Sequence, residues 1–206
     1  MAQITYGIRG ALSHPAIYDF LQLILGAGRA RKRLVRDHIR ARPGDHLLDI
    51  GCGTGELLDY LHPDVHYIGF DLSQSYIDAA RERHGVHGRF ECSDVADFEA
   101  TDLVGVDLVL AIGILHHLDD VQAKQLFQTA WDKLRPGGRF ISFDGALVQG
   151  QSRIARTLIL NDRGQNIRSP DGYRSLAASK FTAIQCIVRD DLLRVPYTHC
   201  ILECTR

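Results

Sequence analysis

The chain has 206 residues, 45% of them hydrophobic and 24% charged, and its 24 basic and 25 acidic side chains leave a net charge of −1. That balance is uneven along the chain: +6 over residues 1–44, −11 over 45–149 and +4 over 150–206. The length suits one domain that buries a core without staples, and the composition excludes a disordered chain or, with no run of about 18 apolar residues, a membrane-spanning helix.

The first residues, MAQITYGIRG, lack the charged start, apolar core and cleavage site of a secretory signal, so a cytoplasmic protein is expected. Ser13-His14-Pro15 opens a helix whose Ile17, Phe20, Leu21, Ile24 and Leu25 share one face. A second helix starts near Gly28; in it Lys32, Arg36 and Arg40 recur at i, i+4, a mildly repulsive row opposite Leu34, Val35 and Ile39. From 45 to 145 short apolar runs alternate with helical stretches, the pattern of βαβ units and a parallel sheet. HLLDI (46–50), VHYIGF (65–70), GRFECS (88–93), VDLVLAI (106–112) and GRFISFD (138–144) read as strands. TGELLDYL, SQSYIDAARERH and DDVQAKQLFQTAWDKLR read as crossover helices, the last opening on Asp119 and Asp120 and stopping at Pro136-Gly137-Gly138. Residues 150–178 read as helix and loop, and FTAIQCIVRD (181–190) with VPYTHCILECT (195–205) as an antiparallel hairpin. The five cysteines are odd in number and scattered, as buried small hydrophobes in a reducing compartment would be.

LLDIGCGTG (47–55) places Gly51, Gly53 and Gly55 directly after the first strand. A turn this bare lets a ligand approach the backbone at the start of a helix. A dinucleotide would need G-x-G-x-x-G, and this spacing is one residue short. Asp49, just ahead of the first glycine, would repel a pyrophosphate and favours a cationic or zwitterionic ligand.

On these residues the chain resembles the class I S-adenosylmethionine-dependent methyltransferases. LLDIGCGTG is similar to their first motif, GFDLS to the end of their second strand with Asp71, and CSDVADF supplies Asp94 after the third. VLAIGILHHL and LRPGGRFISFD are similar to their fourth- and fifth-strand patterns, so the resemblance covers about residues 40–145 in order. It implies a doubly wound, Rossmann-like α/β fold: a seven-stranded, mostly parallel sheet with an antiparallel C-terminal hairpin, preceded by N-terminal helices. One domain over 1–206 is expected, with a helical cover (1–44), a cofactor-binding core (45–145) and a substrate-side helix, loop and strands (146–206). The implied cofactor is S-adenosyl-L-methionine, held by Asp49, Gly51, Cys52, Gly53, Gly55 and Leu72, by Asp71 at the ribose, and by Asp94 and Val95 at the adenine. The carbonyls near Ala111 and Ile112 would face the methionyl end, and Tyr6, with Arg9, would close over it.

His116 and His117 follow the fourth strand, on the side where ligands of such sheets bind, and serve either as a base or as site wall. The family's Asn- or Asp-Pro-Pro-aromatic signature for adenine and amide acceptors is missing from AIGILHH, and no nucleic-acid-binding module is seen, so a small-molecule acceptor is expected for O- or N-methylation. No metal is expected, because no His, Cys and carboxylate cluster has ligand spacing. NDRGQNIRS (161–169) and VPYTHC offer Arg163, Arg168, Tyr197 and His199 to the acceptor. Arg153, Arg156, Arg163 and Arg168 lie within sixteen positions and suit an anionic metabolite or sugar. The block as a whole resembles small bacterial methyltransferases whose acceptor is unassigned. Two other readings remain: a cofactor-binding protein of the same fold that transfers no methyl, as a partner subunit or a cyclising or rearranging enzyme, and an NAD-dependent reductase, against which the glycine spacing and the lack of Tyr-x-x-x-Lys argue. The first helices could support a homodimer.

Overall fold

The computed structural model describes residues 27–93, 103–161 and 164–206. The helix expected from Ser13, together with Tyr6, Arg9, Asp94, Val95 and Arg163, lies outside the described residues. Within them run β1 (His46–Ile50), β2 (His66–Asp71), β3 (Arg89–Cys92), β4 (Val106–Ile112), β5 (Leu134–Gly145), β6 (Ala183–Arg189) and β7 (His199–Thr205). The helices are α1 (Ala27–Leu34), α2 (Gln74–His84), α3 (Asp120–Lys133), α4 (Arg153–Leu160) and α5 (Pro170–Ala177). The strands form one sheet in the order β3-β2-β1-β4-β5-β7-β6. β1 to β5 are parallel, and β7 runs antiparallel between β5 and β6. The expected doubly wound sheet with its antiparallel hairpin is the one observed.

Two hydrophobic layers explain the continuous apolar runs. Leu48, Val109, Ala111, Phe140 and Leu202 face one side, where Ala123, Leu126 and Phe127 of α3 and Tyr173 and Leu176 of α5 cover them. Leu47, Leu108, Leu110, Ile141 and Ile201 face the other, against Ala30 and Leu34 of α1 and Ile77 and Ala80 of α2. Neighbours along a strand point to opposite faces, so a sheet buried on both needs apolar residues at nearly every position.

Local chemistry starts the helices. Asp119 caps α3 by accepting from the Gln122 N–H at 2.8 Å, while Gln122 Oε1 accepts from the Asp119 N–H at 3.3 Å. Ser73, Ser152 and Ser169 cap α2, α4 and α5 in the same way, the last with Pro170 in its first turn. α1 continues as a π turn (Val35–Ile39) and stops at Arg40, whose left-handed backbone (φ 50°) is unique among the described non-glycine residues. The repulsive row expected on this helix is relieved in two ways: Arg36 pairs with Asp37 in the π turn itself, and Arg40 reaches Glu203 on β7 at 2.6 Å.

Two elements differ from expectation. TGELLDYL forms only a short 3-10 helix (Glu56–Tyr60), hemmed in by the left-handed Gly55 and by the extended Leu61 two residues before Pro63. The stop expected at Pro136-Gly137-Gly138 comes earlier: α3 ends at Lys133, Leu134 is already extended, and β5 begins there. Between the pairs Val106–Leu134 and Leu108–Arg139 the register slips, and the proline and glycines sit in that bulge. Among the described residues no helix is long and apolar enough to cross a membrane.

Candidate functional site

The strand order reverses between β1 and β4, so the turns leaving their carboxyl ends flank a crevice. The β1 turn is shaped by its neighbours. A Cβ on Gly51 would lie 2.6 Å from Ile114 Cδ1, and one on Gly55 2.9 Å from the Phe90 ring, so these two glycines are required by packing. All three backbones are left-handed (φ 78°, 55° and 72°), but Gly53 differs in its surroundings, because a Cβ there would meet nothing within 4 Å. It borders open space, the place where a ligand can reach the main chain. Cys52 is half-buried with its Sγ over Gly69 of β2, where a Cβ would stand only 2.8 Å away.

Two carboxylates face this turn. Asp71, at the end of β2, accepts from the Gly53 N–H and the Ser73 N–H, each at 2.9 Å, one on each oxygen. A carboxylate has about four lone-pair sites, so each oxygen can accept once more. Burial raises the Asp71 carboxyl above its ordinary range, opposed by the N–H groups of Ser73, Gly53 and Leu72. Leu72 is exposed at the rim beside it. Asp49 is deeper. Its Oδ2 accepts from the Tyr67 hydroxyl at 2.7 Å, while its buried Oδ1 has no hydrogen-bond partner. Burial pushes this carboxyl up to about 6; the Tyr67 bond opposes the shift and the nearby Asp71 charge adds to it. A cation placed against Oδ1 would satisfy the orphaned oxygen, which is the donor chemistry of an α-ammonium group. The residues therefore fit a zwitterionic ligand and would resist a pyrophosphate.

The raised Asp49 value carries a stability prediction. The folded state holds the Asp49 proton more tightly than the unfolded chain, so the protonated carboxyl stabilises and that advantage is lost as pH rises from about 4 through about 6. The shift of about two pH units corresponds to roughly 3 kcal/mol. Asp49→Asn, which can still accept from Tyr67, should raise Tm of the ligand-free protein at pH 8 and lose that advantage below pH 4. Melting curves of equal Tm at pH 8 would refute the assignment.

Across the crevice, β4 ends at Ala111 and Ile112, and the chain turns through Gly113 into Leu115–His117. His116 Nδ1 lies 2.8 Å from Asp144 Oδ1 on β5, and the His116 backbone N–H points to the same oxygen at 3.3 Å. Both side chains are buried, and the His117 ring packs on His116 at 4.1 Å between centroids. The polar loop after α4 reaches this place: Asn166 N–H donates to the His116 carbonyl at 2.9 Å, and a Cβ on Gly164 would run into the His116 ring. Tyr197 and His199 stand at the same sheet edge, with His199 stacked on Phe143 at 4.3 Å and Tyr197 beside it at 4.7 Å.

Arg168 does not offer the anion clamp expected of it. Its guanidinium donates to the carbonyls of Leu115, Leu118 and Asn166 and to Asp120, which engages all five N–H groups. It ties the histidine turn to α3 and has no donor left for a substrate. Arg153 and Arg156 lie exposed on α4. Sequence reasoning missed Tyr67 and Asp144. Asp144 ends the strand GRFISFD at the ligand edge, a signal that was present; Tyr67 is three residues ahead of Phe70 in β2 and shares the face of Asp49.

A family described as "Methyltransferase domain" matches residues 48–140, from β1 into β5. The chain is 27% identical over 179 residues to phosphoethanolamine N-methyltransferase of Triticum aestivum, covering 82% of this chain and 34% of that protein. It is 36% identical over 114 residues to 27-O-demethylrifamycin SV methyltransferase of Amycolatopsis mediterranei, covering 52% of this chain and 41% of that one. The structure of human N-acetylserotonin methyltransferase in complex with SAM superposes with a TM-score of 0.69 at 17% identity, over 93% of this chain and 54% of that one. The chain thus spans 34% and 41% of the length of these two curated relatives.

Proposed function

We propose that this chain, which belongs to the class I S-adenosylmethionine-dependent methyltransferases, transfers a methyl group from S-adenosylmethionine to an oxygen or nitrogen of a small molecule. The observation that carries the reading is the buried, unpartnered Asp49 Oδ1 beside the open face of Gly53. S-adenosylmethionine supplies an electrophilic methyl on a sulfonium, and its displacement needs an aligned nucleophile more than reactive side chains.

In this reading Asp49 takes the ammonium end, Asp71 the ribose hydroxyls, and Leu72 the edge of the adenine, with Asp94 and Val95 assigned to the adenine polar groups. The carbonyls of Ala111 and Ile112 close the methionyl side. His116 takes the proton that the acceptor loses, with Asp144 holding the ring in the tautomer that leaves Nε2 as acceptor. His117, Tyr197 and His199 form the wall on the acceptor side. The wheat and Amycolatopsis relatives carry names for small-molecule methylation, one on nitrogen and one on oxygen, which supports the acceptor class and not its identity. Cytoplasmic residence, the absence of a nucleic-acid partner and dimerisation through the first helices belong to the same proposal.

Calorimetry tests it without an acceptor in hand. S-adenosylhomocysteine should bind and NAD should not, and Asp71→Ala should weaken binding by about 1.5–3 kcal/mol, the worth of hydrogen bonds to a charged group. Binding of NAD in place of S-adenosylhomocysteine would reject the proposal.

A further inference from the structure

The edge of the sheet opposite the crevice carries a second concave site. A cavity of about 400 Å³ opens at the amino ends of β1, β4 and β5, lined by Arg40, Arg42, Arg135 and Arg139 with Asp45 and Asp107. That volume lies within the ordinary range of small-ligand pockets.

The wall carries four guanidinium groups against two acids, and the ion pairs Asp107–Arg135 and Glu203–Arg40 leave Arg42 and Arg139 without a bonded carboxylate. Asp107 accepts on both oxygens, from Arg135 Nε at 2.6 Å and from the His46 N–H at 2.8 Å. Asp45 caps its turn by accepting from the Arg42 N–H at 2.8 Å. Arg40 is drawn away to Glu203. Arg139 is partly buried and donates to the carbonyls of His38 and Ile39, with no carboxylate bonded to it. Burial and then the neighbouring Arg40 charge hold it below the usual arginine range. The Arg42 guanidinium makes no hydrogen bond or ion pair among the described residues. Arg40 is, besides, set in place by the left-handed backbone that ends the π turn.

We propose that this cavity binds a small, multiply charged phosphate anion, held by the guanidinium groups of Arg42, Arg135 and Arg139. Guanidinium forks match phosphate oxygens, and a wall that sets Arg42 and Arg139, neither bonded to a carboxylate, beside Arg135 suits an anion carrying more than one charge better than a single carboxylate. The concave shape and the two acids on its wall fit a small anion rather than a nucleic-acid backbone, which asks for a track of cations along a surface. The site lies on the far side of the sheet from the glycine turn, so its occupant is neither the methyl donor nor the acceptor.

Pyrophosphate is the probe, titrated into the whole chain by calorimetry at fixed ionic strength. Binding should be one to one, should persist with the crevice saturated by S-adenosylhomocysteine, and should weaken at least tenfold in Arg42→Ala and vanish in Arg42→Glu. Because the Arg42 side chain bonds to nothing among the described residues, both variants should melt with the parent protein. Undiminished binding in Arg42→Glu, displacement of pyrophosphate by S-adenosylhomocysteine, or no binding of pyrophosphate at millimolar concentration would each overturn the proposal. So would a single-stranded RNA that binds more tightly than pyrophosphate and depends on the same arginine, since the surface would then be a nucleic-acid contact. None of these readouts uses methyl transfer, so failure here and failure of the proposed function are told apart.

Discussion

Gly53→Val should weaken S-adenosylhomocysteine binding by at least about 100-fold, on the order of 2.8 kcal/mol, while the protein still folds. The expectation rests on a contrast within one turn. A side chain at Gly51 or Gly55 would strike Ile114 or Phe90, so substitutions there damage the fold and binding together. At Gly53 the built Cβ meets no atom within 4 Å, and the cost to folding is confined to the left-handed backbone, roughly 1–2 kcal/mol for an L-residue. For a chain of this size that lowers Tm by about 2–8 °C. The branched side chain would instead fill the space through which the ligand reaches the main chain. Calorimetry and a melting curve on the same sample separate the two effects. A folded Gly53→Val that binds within threefold of the parent would show that the ligand does not approach this face, and the crevice would have to be reassigned.

The parts of the fold legible from sequence are those with local causes. HLLDI and VDLVLAI match β1 and β4 residue for residue, because strands buried on both faces leave an unbroken apolar run. The start of α3 was legible from the acidic pair Asp119 and Asp120, the first of which caps the helix. β5 was read short because its first residues pair across a bulge with Val106, and Gly137 and Gly138 bond to Arg206, nearly seventy positions away. Nothing in LRPGG announces those partners. The same holds at the site. The glycine turn and Asp71 are a local pattern, whereas Tyr67 meets Asp49 only because β2 pairs beside β1, and Asp144 meets His116 only because β5 pairs beside β4. Arg168 shows the reverse error. A cluster of arginines in a polar loop looks like a substrate clamp, yet this guanidinium is needed to close the carbonyls of the histidine turn.

The distance between Asp144 and His116 turns an open choice into a measurable one. If His116 were only wall, its removal would change how well the acceptor fits, raising KM with kcat nearly unchanged. A ring whose Nδ1 is fixed on a buried carboxylate is oriented for proton transfer, which is worth about 10²–10⁴-fold in rate. His116→Ala should therefore lower kcat by about that factor with any acceptor found by labelled-methyl transfer, while the affinity for S-adenosylhomocysteine stays within twofold. Asp144→Asn is the sharper variant. Its amide can donate to Nδ1, which forces the proton onto Nε2 and blocks that nitrogen as acceptor, so the loss in kcat should approach that of His116→Ala although the ring is still present. An acceptor that ionises without help, such as an acidic phenol or a thiol, should be spared in both variants. Should Asp144→Asn keep the parent's kcat on a neutral alcohol or a protonated amine, the pair is a packing contact, and the base must be sought in His117 or in the acceptor itself.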